Sequence, residues 1–252
     1  PGAVPVTRGY PMLPGPADEQ DHPHHQSLWF AHGDVNGYDF WHGTEHNERI
    51  VWDGDLTVEN ESDRCRVLAS YNWMANEDTL VCMEERELIF SESEDERTVD
   101  IQITLTPGSQ ALVMGDTKEG SFALRIHPAL RVTGKAANGH LMNSEGQSGS
   151  DVWGKRARWI DDSGHVDNVP VGIAIFDHPE NPRHPTWWHA RTYGLLAANP
   201  FGVHDFEGKP EGAGQMTIPV GSRLQLRYRV LLHGADWDAA RIDEAYGEWI
   251  TE

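Results

Sequence analysis

Apolar and polar positions alternate along most of this chain, the two-residue period of strands that bury one face and wet the other. The segments RIVWDGDLTVEN (49–60), CRVLASYNWMA (65–75), TLVCMEERELIF (79–90), TVDIQITLTP (98–107), SFALRIHPAL (121–130), VGIAIFDHP (171–179), TYGLLAAN (192–199) and SRLQLRYRVLLH (222–233) are rich in β-branched and aromatic residues. Such residues suit a pleated, half-buried surface. The clearest pairing is a hairpin: Leu88 and Phe90 on one arm and Val99, Ile101 and Ile103 on the other alternate with polar residues across the acidic tip SESEDE (91–96). A helical period stands out at the C-terminus, where Ile242, Ala245, Tyr246, Trp249 and Ile250 share a stripe and Asp236 or Asp238 is placed to cap it. The expected fold is all-β: a large antiparallel β-sandwich with one C-terminal helix packed on its edge. With no internal repeat, long linker or composition break, residues 1–252 read as a single β-sandwich domain.

Forty acidic against twenty basic side chains give a formal charge of -20. That field repels a phosphate backbone, and no basic stripe offsets it, so nucleic acid is not an expected partner. No apolar run approaches the roughly 20 residues a membrane helix needs. Cys65 and Cys82 lie in strand-like runs and read as reduced. The sequence opens at Pro1 without Met or a secretory leader, which reads as a trimmed start, with a cytoplasmic location preferred over a secreted one.

The chemistry concentrates in three stretches. DHPHHQSLWFAHGDVNG (21–37) carries His22, His24, His25 and His32 around an aromatic run and ends in an Asn-Gly turn. A residue before proline is driven toward extended backbone, so DHPHH is expected to put His22 and His24 on one side and Asp21 and His25 on the other. That spacing suits either proton transfer or two ligands of a divalent metal, and local sequence does not choose between them. The second stretch, FDHPENPRHPTWWHARTYGLLAANPFG (176–202), sets His189 and Arg183 beside Trp187 and Trp188. Rings that stack on the C–H faces of a sugar, beside groups that bond its hydroxyls, suit a polyhydroxylated ligand. One tryptophan of the adjacent pair is expected in the core and the other exposed. The third, DVWGKRARWIDDSG (151–164), gathers Lys155, Arg156 and Arg158, which would clamp a carboxylate or lie on a solvated strand face. No G-x-S-x-G elbow, P-loop, HExxH or paired CxxC occurs.

Together, DHPHHQSLWFAHGDVNGYDFW, DVWGKRARWIDDSG, VGIAIFDHPENPRHPTWWHARTYGLLAANPFG and RLQLRYRVLLH resemble the methane oxygenase PmoA-like family of uncharacterised bacterial proteins. The label misleads for this chain, since a methane oxygenase membrane subunit needs spanning helices that the sequence lacks. The resemblance implies a galactose-mutarotase-like supersandwich and a place in bacterial sugar catabolism, with no agreed reaction. The sequence departs from the family pattern at Gln26, where Arg is usual, and at Thr192, where Asp often follows the arginine.

The expectation from all this is a carbohydrate-active enzyme using histidine acid–base chemistry, an epimerase, mutarotase or lyase acting on a small sugar or oxidised sugar. His25, His32 and His189 are the expected proton-transfer groups, with Asp34 orienting an imidazole. Arg8, Asn36, Lys155, Arg183, Trp188 and Asn199 are the expected substrate contacts. No cofactor is required, the alternative being a metal-dependent lyase or hydrolase with His22 and His24 as ligands. A non-catalytic carbohydrate-binding module is the reading from another class. The stretches 21–37 and 176–202 are expected to line one concave site.

Overall fold

The computed structural model describes residues 4–15, 19–43 and 47–252. Its strands are β1 (Leu28–His32), β2 (Arg49–Asn60), β3 (Arg64–Ala75), β4 (Thr79–Glu92), β5 (Arg97–Pro107), β6 (Leu112–Met114), β7 (Gly120–Arg125), β8 (His140–Asn143), β9 (Trp159–Val166), β10 (Val169–Asp177), β11 (Trp187–Trp188), β12 (Leu195–Asn199), β13 (Met216–Ile218) and β14 (Leu224–His233). Two helices accompany them, a short α1 (Val203–Glu207) and the C-terminal α2 (Ala239–Trp249). An eight-stranded sheet, ordered β2-β3-β4-β5-β14-β10-β9-β8, faces a four-stranded sheet, ordered β1-β7-β12-β11, and β6 pairs with β13. The pairings are antiparallel, so the fold is the all-β antiparallel sandwich expected.

Strand alternation explains why the sheets stick. Phe30, Phe122, Leu124 and Leu196 of the smaller sheet meet Trp73, Ile101, Ile103 and Tyr228 of the larger one in a single core. The Phe122 and Tyr228 rings stack at 4.7 Å across the interface. Each large apolar side chain so buried stabilises the fold by about 1.5–3 kcal/mol. The β4–β5 hairpin turns at 93–96, where the acidic tip was expected. Both cysteines are free thiols. In α2, the Asp238 side chain accepts from the Arg241 amide at 3.0 Å. Ile242, Tyr246 and Trp249 seat the helix on Trp159, Phe176 and Leu231.

Two local expectations are corrected. Trp187 and Trp188 are both buried, because Trp188 lies in the inter-sheet core while the opposite face of Trp187 is covered by the Arg156 guanidinium 4.5 Å from its ring. His22 is not extended. It has φ of 43° and opens a turn in which the His25 amide bonds its carbonyl, so His22 and His25, expected on opposite sides, stack at 4.8 Å.

Candidate functional site

The turn at 21–25 is held by Arg8, which is 2 % exposed. Its guanidinium donates to the backbone carbonyls of Glu19, Asp21, His22 and His25 and to Asp21 Oδ1 at 2.6 Å. A planar five-donor fork can satisfy that many acceptors at once, and nothing else in the loop could. This clamp overrides the extended preference that Pro23 places on His22. Arg125, also buried, shares Asp21 from the other side at 3.1 Å and donates to His25 Nδ1 at 3.0 Å. Arg8 is therefore a strut of the loop, and the expected role of holding substrate passes to other groups.

In front of this loop opens a cavity of about 800 Å³. Its wall takes His22, His24, Gln26 and Trp29 from the first chemical stretch, Trp41, His42 and Glu48 from the connection into β2, Arg49 and Ile50 from the start of β2, and Tyr71 and Arg86 from β3 and β4. Two of its histidines carry a carboxylate partner: His22 Nδ1 meets Asp21 Oδ2 at 2.6 Å, and His42 Nδ1 meets Asp39 Oδ2 at 2.7 Å. An imidazole that donates Nδ1–H to a carboxylate is fixed in one tautomer, with its Nε2 lone pair left as a base. His24 packs between them, 5.7 Å from His22 and 4.6 Å from His42 by ring centre. Trp29 and Trp41 lie 5.2 Å apart. Buried polar atoms of three wall residues, Trp29 Nε1, Trp41 Nε1 and Glu48 Oε2, have no hydrogen-bond partner among the described residues. Arg86 is tied to buried Glu84 at 2.6 Å and lies 4.8 Å over the Tyr71 ring.

Burial sets the protonation of the inner histidines. It pushes His24 down to about 4, helped by the neighbouring His42 and His22, and pushes His25 down to about 2, with His24 and Arg125 adding to the effect. Both are neutral at pH 7. Burial also works on Asp21, raising it, but the hydrogen bond from His22 and the charge of Arg125 outweigh that and bring the carboxyl down to about 2. Among the described residues, no three His, Cys, Asp or Glu side chains stand where they would share a metal ion.

Residues 1–247 match the description "Family of unknown function (DUF6807)". The chain belongs to this family. No curated protein matches it. Among solved structures, the DUF6807 chain is similar to a protein named as a candidate aldose 1-epimerase from Escherichia coli K12, at 12 % identity and a TM-score of 0.35, over 72 % of this chain and 69 % of that one. It is also similar to a galactose mutarotase related enzyme from Lactobacillus acidophilus, at 11 % identity and a TM-score of 0.31, over 79 % of this chain and 74 % of that one. Neither likeness bears on what the DUF6807 chain does.

The other expected site residues of this family member are spread through the frame. His25 is 2 % exposed and stacks on Trp29 behind the cavity wall. His32 is fully buried, bonded through Nε2 to the Gly115 carbonyl at 2.8 Å and through Nδ1 to the Ser121 hydroxyl at 3.2 Å, and burial brings it down to about 4. A Cβ on Gly120 would come within 2.2 Å of that Nδ1, so the chain leaves no side chain there. His189 donates Nδ1–H to the Lys118 carbonyl at 2.8 Å, and burial lowers its pKa. Asp34 orients no imidazole; its Oδ1 accepts the Gly37 amide at 2.9 Å in the turn where Asn36 has φ of 56°. Asn36 itself bridges to Ala111 and Val113. Arg183 donates to the carbonyls of Pro200, Gly214 and Gln215. Asn199 caps the Phe201 and Gly202 amides. Trp188 donates to the Ala157 carbonyl from the core, and Lys155 is exposed away from the cavity wall.

The stretches 21–37 and 176–202 touch where the Tyr193 ring stacks on His22 at 5.7 Å, although the wall of this cavity takes residues of the first stretch and none of the second. They share one side of the smaller sheet: Trp29 pairs with Ala123, Ala123 with Ala197, and the His189 amide bonds the Ala197 carbonyl. Three strand spacings of about 4.8 Å hold His189 roughly 14 Å from Trp29. Sequence reasoning missed Trp41, His42 and Glu48. The Asp39-x-x-His42 spacing was the available signal for one of them; Glu48, Tyr71 and Arg86 reach the cavity by sheet packing and left none.

Proposed function

We propose that this cavity binds a small sugar or oxidised sugar and that the protein is a carbohydrate-active isomerase or lyase working by histidine acid–base chemistry. The observation that carries the reading is the wall itself. Two aspartate-backed imidazoles stand with two tryptophans and a buried glutamate. Indole rings stack on the C–H faces of a sugar while imidazole edges bond its hydroxyls. Aromatic faces with a few convergent polar groups are the usual make-up of such a site.

The roles follow from the partners. His42, oriented by Asp39, takes a proton from a substrate hydroxyl or an acidic C–H. His22, oriented by Asp21, or the Glu48 carboxyl returns one on the other side. Each such transfer contributes about 10²–10⁴-fold. His24, neutral at pH 7, accepts or donates a hydrogen bond without adding charge. Bacterial sugar catabolism, which the PmoA-like resemblance implies, and a cytoplasmic location are part of this proposal.

The test is a panel of aldoses and uronic acids. Tryptophan emission reads binding at Trp29 and Trp41, and NMR exchange between anomers reads turnover. One member of the panel is expected to shift the emission and exchange faster with the protein present, and His42→Gln is expected to slow exchange by about 10²-fold or more while the emission shift persists. Binding without any acceleration would leave a non-catalytic sugar-binding module. Loss of activity on chelation, with metal found in the purified protein, would transfer His22 and His24 to a metal. If no sugar perturbs the emission, the carbohydrate reading fails.

A further inference from the structure

The apolar face of the larger sheet continues past the point where the smaller sheet covers it. Paired rows such as Leu56–Ala69–Arg86 and Val58–Val67–Leu88 lie on the same face as Trp73 and Ile103, which are in the inter-sheet core. Along that face, burial falls away: Trp73 is 0 % exposed, whereas Trp52, Leu56, Val58 and Phe90 are 53, 57, 52 and 41 % exposed. The opposite face of these strands is mixed: Arg66 bonds Glu59 and Glu87, while Val51 and Met83 are 41 and 42 % exposed there. Four large apolar side chains exposed side by side on one face make a patch of the kind that marks an interaction surface.

We propose that this face of β2–β4 packs against the same face of a second copy of the chain, in a two-fold arrangement that gives each exposed wing its missing second layer. Four features select this occupant. A two-fold contact matches a patch with itself, so an apolar patch needs no other complementary surface. The ionised groups on the inner face neutralise one another in pairs, Glu84 with Arg86 at 2.6 Å and Glu92 with Arg97 at 3.3 Å. A chain of formal charge -20 therefore meets itself there without repulsion, and a strongly charged partner finds no counter-charge. The four exposed side chains leave on the order of 100 Å² of apolar area each. Doubled across the axis that is roughly 800 Å², and Val67, Leu88 and the polar rim carry it to the ~1,000 Å² expected of a specific interface. Edge-to-edge pairing of β2 is disfavoured by the irregularity between Trp52 and Leu56 and by Asp53 and Asp55 beside it, which are devices that blunt an edge. Face-to-face packing remains. Arg86, Tyr71 and Ile50 belong to both this face and the cavity wall, so the second copy closes the open side of the cavity. The dimer itself does not depend on which ligand the cavity takes.

Sedimentation velocity at about 50 μM, where a dimer of micromolar Kd or tighter is mostly associated, is expected to show a species of twice the 28.3 kDa chain mass. The double substitution Leu56→Asp with Val58→Asp should convert it wholly to monomer, with an unchanged far-ultraviolet dichroism spectrum because both side chains are already more than half exposed. Thr57→Asp, on the opposite face of the same strand, should leave the dimer intact. A monomeric native protein at that concentration overturns the proposal. So does a dimer that survives the double substitution, or one that Thr57→Asp dissociates equally well, since either places the contact elsewhere.

Discussion

Arg8 shows how much one side chain can decide. It fixes the carbonyls of the 19–25 turn, and with them the ring positions of His22, His24 and His25. Arg8→Lys supplies a point charge where a fork is needed, so it should expose the turn and lower unfolding stability by about 3 kcal/mol or more, the usual cost of breaking a buried, charged hydrogen-bond set. Equilibrium urea unfolding measures this, and a change below about 1 kcal/mol would remove Arg8 from its assigned part. The depressed histidines give a second prediction. His25 at about 2 and His24 and His32 at about 4 stay neutral in the folded protein while the unfolded chain, with ordinary values near 6.5, takes up protons. Stability is therefore full above pH 6.5 and falls as the pH drops from 6.5 toward 4. Asp21 adds to the loss only below its ordinary 3.8, and its contribution is gone once the pH passes about 2. A urea midpoint that is flat between pH 6.5 and 4 would contradict the assignment of these rings as buried and neutral.

At the scale of elements, the strand period was legible where burial alternates, as in β14, and also in β2, whose side chains stay exposed. It missed β6, β8, β9 and β13, and it failed for β1 and β11. LWFAH is short and carries apolar side chains on both faces, and the Trp pair of β11 is covered on both sides, so neither shows an alternation. Helix α2 was legible because its stripe and its cap agree. Asp238→Ala should cost about 1 kcal/mol by removing the cap on the Arg241 amide. Trp188→Ala should cost about 3–5 kcal/mol because the ring fills the inter-sheet core. If calorimetry showed Trp188→Ala to be neutral for stability while sugar affinity fell, the ring would belong to a binding surface after all.

At the scale of the whole molecule, the charge of -20 strains the folded state by self-repulsion that salt screens over a Debye length of about 10 Å at 0.1 M. The melting temperature should rise by a few degrees between roughly 10 and 200 mM NaCl, and a fall would mean that the surface ion pairs outweigh the net charge. The sequence by itself determined the all-β class, the acidic hairpin tip, the capped C-terminal helix and the clustering of histidines in one loop, because each follows from the period or composition of a continuous segment. Tertiary structure decided which of those histidines meet a cavity. His25, His32 and His189 were drawn into the frame by partners 71 to 100 residues away, such as Arg125 and Gly115. His42, Glu48, Tyr71 and Arg86 were brought to the cavity by the packing of β2–β4 against β1 and its flanking loops. A site assembled across two sheets leaves no periodic trace in the chain, since the contact between segments is set by sheet order and register, and neither is written in the spacing of any one stretch.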